Sequence, residues 1–77
     1  PDIIVTINGV PAGNFRQGEV QLTVYNGDYI EIDASRARGD GRFVVSVPGD
    51  GLSSPADGAV VEGQGGLLPV GKVKFRP

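Results

Sequence analysis

Residues 19–34, EVQLTVYNGDYIEIDA, hold two runs of alternating apolar side chains separated by a turn, and no other stretch restricts the fold as tightly. Val20, Leu22 and Val24 alternate with Gln21, Thr23 and Tyr25, and Ile30, Ile32 and Ala34 alternate with Glu31 and Asp33. A period of two is that of half-buried strands. A two-residue turn of Asn26 and Gly27 would set Leu22 against Glu31 and Val20 against Asp33, mixing apolar and charged groups on one face. Looping out Asn26, Gly27 and Asp28 places Val24 by Ile30, Leu22 by Ile32 and Val20 by Ala34, with Thr23 opposite Glu31 on the wet face. The expectation is a hairpin with a three-residue loop. The pattern sets architecture and is silent on activity.

Seventy-seven residues make one domain, 1–77, and a chain this short buries only about 60% of the surface its unfolded form exposes. Cysteine and histidine are both absent. Disulfides are therefore excluded as reinforcement, and a zinc site would have to be built from carboxylates alone, a poor match to that metal. Assembly with a neighbouring domain or subunit, a possible homo-oligomer included, is the remaining way to cover edge strands. Nine acidic against seven basic side chains give a net charge of -2, which argues against nucleic acid as a partner. No apolar stretch approaches the roughly 20 residues of a transmembrane helix, and no basic start leads into an apolar signal core. Methionine is absent, so Pro1 reads either as the residue left after initiator removal or as the first residue of a segment cut from a longer chain; a signal peptide removed earlier fits equally.

The thirteen glycines and six prolines fall between the apolar runs and punctuate them. The first strand is expected over residues 3–8, closed by a turn over 9–14; the hairpin follows; then a strand over 42–47 is cut off by Pro48 and Gly49. A short strand over 59–62, a flexible connection over 63–66 and a last strand over 70–76 complete the chain, with no helix. The expected fold is all-β: a small antiparallel immunoglobulin-like β-sandwich of about six or seven strands. Its interior would hold Ile3, Val5, Ile7, Val20, Leu22, Val24, Ile30, Ile32, Phe43, Val45, Val47, Val73 and Phe75. A small barrel is the alternative architecture.

Residues 27–51, GDYIEIDASRARGDGRFVVSVPGDG, carry Gly27-Asp28, Asp33-Ala34-Ser35, Asp40-Gly41 and Gly49-Asp50-Gly51 in that order. This succession resembles the PKD branch of immunoglobulin-like domains, in which a Gly-Asp or Gly-Glu turn leads into a strand ending Asp-Ala-Ser, then an Asp-Gly loop, another strand and Gly-Asp-Gly. The resemblance covers about a third of the chain. Where that family carries a tryptophan before Asp-Phe-Gly-Asp-Gly, this chain has Ser46-Val47-Pro48-Gly49-Asp50-Gly51, and its last strand lacks the family's tyrosine-rich approach. The resemblance implies a non-catalytic module of cell-surface or secreted proteins, used as a spacer, adhesion or protein-contact unit; fold alone does not assign that role.

The chemistry-bearing residues point the same way. Ser35, Ser46, Ser53 and Ser54 have no histidine to accept a proton. Asp40, Asp50 and Asp57 lie beside glycine or in loops, where short acidic residues cap turns, so neither acid/base catalysis nor a calcium site is assigned. Gly63, Gly65 and Gly66 could approach a phosphate, but Gly71-Lys72 is followed by Val73 where a phosphate loop needs Ser or Thr. No cofactor is expected, and the chain is not expected to be an enzyme.

What remains is surface. Arg36, Arg38, Asp40 and Arg42 cluster on an exposed loop, where guanidinium groups could meet carboxylates of a partner. Within it, Arg38-Gly39-Asp40 spells the tripeptide that many integrin ligands resemble, although glycine and aspartate are ordinary loop residues. On the last strand Lys72, Lys74 and Arg76 alternate with Val73 and Phe75, which protects an edge and offers a second basic contact. Asp2 and Glu19 are expected at the opposite end, so head-to-tail contact between modules is electrostatically possible. Tyr25 and Tyr29 are expected as a cross-strand pair at the hairpin tip, with sugar stacking as the competing use. These seven residues, Arg36, Arg38, Asp40, Arg42, Lys72, Lys74 and Arg76, are the candidate partner contacts. The leading expectation is a structural, adhesion or protein-interaction module of a microbial surface or secreted protein, extracellular in location. The alternative is a small virion decoration or other assembly subunit encoded as a complete chain.

Overall fold

The computed structural model describes residues 3–77. It is all-β and antiparallel, with no helix among the described residues. Among the described residues eight short strands form three sheets, where a two-sheet sandwich of about six or seven strands was expected from the sequence. They are β1 (Ile4–Ile7), β2 (Val10–Asn14), β3 (Tyr29–Asp33), β4 (Gly41–Val44), β5 (Leu52–Ser54), β6 (Val60–Gly63), β7 (Leu67–Lys72) and β8 (Lys74–Phe75). The main sheet runs β2-β1-β3-β7, and β4-β6 and β5-β8 are separate pairs.

Asn8 and Gly9 turn β1 back into β2, with φ of 53° and 80°. Two consecutive positive φ values are what a two-residue hairpin of matching twist demands, and Asn-Gly supplies them cheaply. A strand therefore stands at residues 10–14, where a turn was expected. Pro11 is tolerated because β2 is an edge strand, and an extra residue, Ala12, bulges the pairing between Val5↔Gly13 and Thr6↔Pro11.

The hairpin expected over residues 19–34 is replaced by other pairings. β3 is flanked by β1 and β7, with Val5↔Ile32 on one side and Ile32↔Leu68 on the other. Thr6, not Thr23, faces Glu31. Residues 20–24 nevertheless alternate as the sequence dictates: Val20, Leu22 and Val24 are half-buried, and Gln21 and Thr23 are exposed. A period of two fixes which face a side chain takes, and both runs take the interior from different sides.

The core is a transverse row across the main sheet, Gly13, Val5, Ile32 and Leu68, joined by Ile30, Ala34 and Val73. Gly13 is part of this packing because a Cβ there would lie 2.6 Å from Val20 Cγ1. Gly63 likewise gives way to Leu68, whose side chain occupies the space of the missing Cβ. Phe15 and Phe43 pack tilted at 5.0 Å between centroids.

The last strand is split. β7 pairs with β3 and β8 pairs with β5, and the chain changes sheets at Val73, which is 0% exposed. Val73 donates its N–H to Asp28 O and accepts from Gly27 N–H, both at 2.7 Å, so the crossing point is bracketed by the turn before β3. Phe75, expected inside, is 44% exposed because β8 has left the main sheet. The other expected core positions are buried or half-buried; Leu68 and Pro55 join them without having been foreseen.

Candidate functional site

The main sheet places the two basic groups at opposite ends. β3 leaves the sheet at Asp33, opposite Leu67, and enters it at Tyr29, opposite Lys72. Four residues at about 3.3 Å each separate these ends by roughly 13 Å. Arg36, Arg38 and Asp40 lie on the loop beyond Asp33, all exposed. Lys72 and Lys74 lie at the other end, also exposed. The structure does not gather the seven candidate residues into one site.

Each end is built by local polar chemistry. At the first, Asp33 Oδ1 accepts hydrogen bonds from Ser35 N at 3.0 Å and from Ser35 Oγ at 2.6 Å. Ala37 N–H then donates to Ala34 O at 3.0 Å, and Ala34 N–H to Gly66 O at 2.8 Å, tying the loop to the connection between β6 and β7. This is an Asx-type turn, in which a short carboxylate takes the place of backbone partners. The Ser35 hydroxyl, then the Ser35 amide, and last the nearby Arg36 charge hold the Asp33 carboxyl below its ordinary range, against a smaller opposing effect of desolvation. Because the folded-state value is lowered, the associated stabilisation is present above the ordinary aspartate range and is lost as pH falls through the lowered value. Replacing Ser35 with alanine is expected to move the Asp33 titration upward and to reduce the loss of stability on acidification; carboxyl NMR titration reads the first effect and acid unfolding the second.

Arg42, the second residue of β4, lies opposite Glu62 of β6, with Nε 3.6 Å from Oε1. Both side chains are about two-thirds exposed, 64% and 65%, so the pair contributes at most about 1 kcal/mol and leaves Arg42 accessible to a partner. Arg38-Gly39-Asp40 is an exposed loop, with Gly39 at φ 82°.

At the second end the three cations are not equivalent. Lys72 and Lys74 extend from two different sheets, and Ser54 Oγ and Ser53 Oγ donate to their carbonyls at 2.9 and 3.2 Å. Arg76 is also exposed but is engaged by backbone: its Nε donates to Leu52 O at 3.1 Å and its N–H to Gly51 O at 2.9 Å. Arg76 thus ties β8 to the loop before β5.

The same end is fixed by a polar latch that sequence reading missed. Asn8 Oδ1 accepts from Tyr29 N at 2.8 Å, while its Nδ2 donates to Asp28 Oδ1 at 3.0 Å. Asp28 Oδ2 accepts from Tyr25 N at 2.9 Å, and Asn26 Oδ1 accepts from Phe75 N at 2.9 Å. Three short polar residues thereby connect β1, the 25–28 turn and β8. The signal was the Asn8-Gly9 dipeptide, a hairpin turn that also carries a side chain able to reach a neighbouring strand. Tyr25 and Tyr29 are not cross-strand partners: Tyr25 begins this turn and is 69% exposed, and Tyr29 faces Lys72 on β7.

Of the other acidic residues, Asp57 Oδ1 accepts from Val47 N at 2.8 Å, a turn-capping use. Glu19 is exposed; it precedes Val20, which packs on Gly13 in the row nearest Asp33, so it lies toward the arginine-loop end and away from Lys72. Asp2 lies outside the described residues. No cluster of three or more histidine, cysteine, aspartate or glutamate side chains, and no buried polar or charged side chain, occurs among the described residues. No described helix is long and apolar enough to cross a membrane.

One concavity is large. A cleft of about 1420 Å³ lies between residues 18–24 and 42–48, with Ile30, Ile32, Val70 and Val73 among its lining. It is the apolar interior left open because neither of its two rims is joined to the main sheet.

Comparison with protein-family models, with curated proteins and with solved structures found no match to this chain.

Proposed function

We propose that this chain is a non-catalytic structural or protein-interaction module of a microbial surface or secreted protein, with an immunoglobulin-like, PKD-like sandwich as its fold. The observation that carries the reading is the placement of exposed cations at both ends of one strand-built body. The molecule measures 39 × 23 × 19 Å, and hydrogen-bonded turns order the chain at each end of β3. A contact at each end suits a spacer or adhesion unit that must hold neighbours apart at a set distance. Arg36, Arg38 and Arg42 at one end and Lys72 and Lys74 at the other would meet acidic surfaces, raising the association rate and imposing salt dependence. Carboxylate-rich partners match guanidinium forks better than neutral ones.

The test is surface plasmon resonance of the chain against the segments encoded on either side in its reading frame and against proteins of the same surface. Charge reversal at Arg36 and Arg38, or at Lys72 and Lys74, is expected to weaken binding by about tenfold and to flatten its salt dependence. Silence toward every such protein, or binding indifferent to both reversals, overturns the reading. A stop codon directly after Pro77 would favour the assembly alternative, a virion decoration or similar subunit, over an excised surface module.

A further inference from the structure

The segment over residues 19–25 has an edge that no described residue occupies. None of the backbone groups of residues 19–24 is hydrogen-bonded to another described residue; the first bond is that of Tyr25 N–H to Asp28. The segment is held only by its apolar side, Val20, Leu22 and Val24, packed on the core. Open backbone in an extended run is a template for pairing with a second strand.

Natural edges are blunted by charge, proline, bulges or shortness. The other edges here show these devices. β2 carries Pro11 and a bulge, β8 is two residues long with Lys74 in it, and β4 carries Arg42. Residues 20–25, VQLTVY, have no charge, no proline and no glycine. Their neighbour across the cleft, residues 45–47, is already engaged: Val45 bonds to Ala59 and Gly58, and Val47 N–H to Asp57.

The sequence of this edge is also self-complementary. Antiparallel pairing with a second copy, two-fold about Leu22, sets Leu22 against Leu22, Val20 against Val24, Gln21 against Thr23 and Glu19 against Tyr25. Every apolar side chain then lies on the core side, and no like charges meet. A shift of one residue would place valine against glutamine and mix the faces. Equivalent surfaces meeting about a two-fold axis are the commonest form of homo-oligomer.

We propose that residues 19–25 are the dimerisation edge of this protein, joining two copies antiparallel in this register. The contact uses main chain on a flank and not the charged ends, so it stands independently of the end-to-end role above.

Sedimentation equilibrium from micromolar to millimolar protein tests it. The wild-type chain is expected to show a dimer that dissociates on dilution and persists in high salt, unlike contacts made by the cationic ends. Gln21 and Thr23 are exposed, so replacing both with lysine leaves the packed side intact; because each faces the other across the axis, the double variant should dissociate at least about tenfold more readily. Mixing it with the double glutamate variant should restore a heterodimer. The chain has no native cysteine, so Gln21→Cys with Thr23→Cys should oxidise to a covalent dimer in this register. A wild-type chain that stays monomeric at millimolar concentration overturns the proposal. So does a dimer that survives both like-charged variants unchanged, or one that the paired cysteines fail to cross-link.

Discussion

Replacing Ile32 with alanine is expected to remove most of the stability of this protein. Ile32 is 3% exposed and lies between Val5 and Leu68 in the central row of the main sheet. Truncating a buried isoleucine to alanine costs about 2–5 kcal/mol, the larger values applying where neighbours cannot collapse into the space. Here they are held by ladders on both sides, which places the cost toward the upper end. The whole domain is stabilised by something on the order of 4–12 kcal/mol, so the loss is a large share. The measurement is urea unfolding followed by circular dichroism, with a lower midpoint at unchanged slope as the expected outcome. Ile32→Val, which removes one methylene, should cost about 0.5–1.5 kcal/mol. A near-neutral Ile32→Ala would mean that this row is not the core.

The second large effect is expected at Asn8. Its side chain satisfies Tyr29 N and Asp28 Oδ1, and its backbone sits at φ 53°. Asn8→Ala removes both hydrogen bonds and places a Cβ-bearing residue without asparagine's tolerance in the left-handed region. The combined cost is about 1–3 kcal/mol, which for a domain of this size lowers the melting temperature by roughly 4–8 °C per kcal/mol. Asn8→Gly separates the two contributions: it keeps the backbone free to adopt positive φ and loses only the side-chain bonds, so it should be less damaging than alanine by about 1 kcal/mol. Equal effects of the two variants would show that the hydrogen bonds to Tyr29 and Asp28 carry the whole contribution. A thermal melt of each variant against wild type decides the matter.

Much of this architecture was legible residue by residue. Ile30 and Ile32 face inward and Tyr29, Glu31 and Asp33 do not, because alternation is enforced by the pleat regardless of the neighbouring strand. The first strand and the run over residues 59–62 stand within a residue or two of their expected places for the same reason. The neighbours of β3 were not legible. Val20, Leu22 and Val24 satisfy the hairpin register and the observed packing equally, since both put them in the interior. Nearness in sequence favoured the hairpin, yet β1 and β7 flank β3 on both edges and complete a wholly apolar row through Ile32. Two strands were missed, β2 and β5; β2 was within reach, because Asn8-Gly9 is a hairpin turn in its own right and Pro11 does not bar an edge strand.

The candidate contacts divide along the same line. Exposure of Arg36, Arg38, Asp40, Lys72 and Lys74 follows from their charge, which is costly to bury without a partner. Arg76, grouped with them by alternation, is exposed too, but its Nε is held by the Leu52 carbonyl, because the chain leaves the main sheet at Val73 and brings β8 against β5. Phe75 is exposed for the same reason.

The amino-acid order alone thus determined the all-β character, the inward and outward faces of β1, β3 and residues 20–24, and the turns at Asn8-Gly9 and residues 25–28, since these depend on local sterics and on a two-residue repeat. Only the tertiary structure decided which strands are neighbours, that the two cationic groups stand at opposite ends of β3 and β7, and that residues 19–24 keep an open backbone edge. Those features depend on long-range pairing, where many registers satisfy the same local pattern and the choice among them is made by burial across the whole sheet.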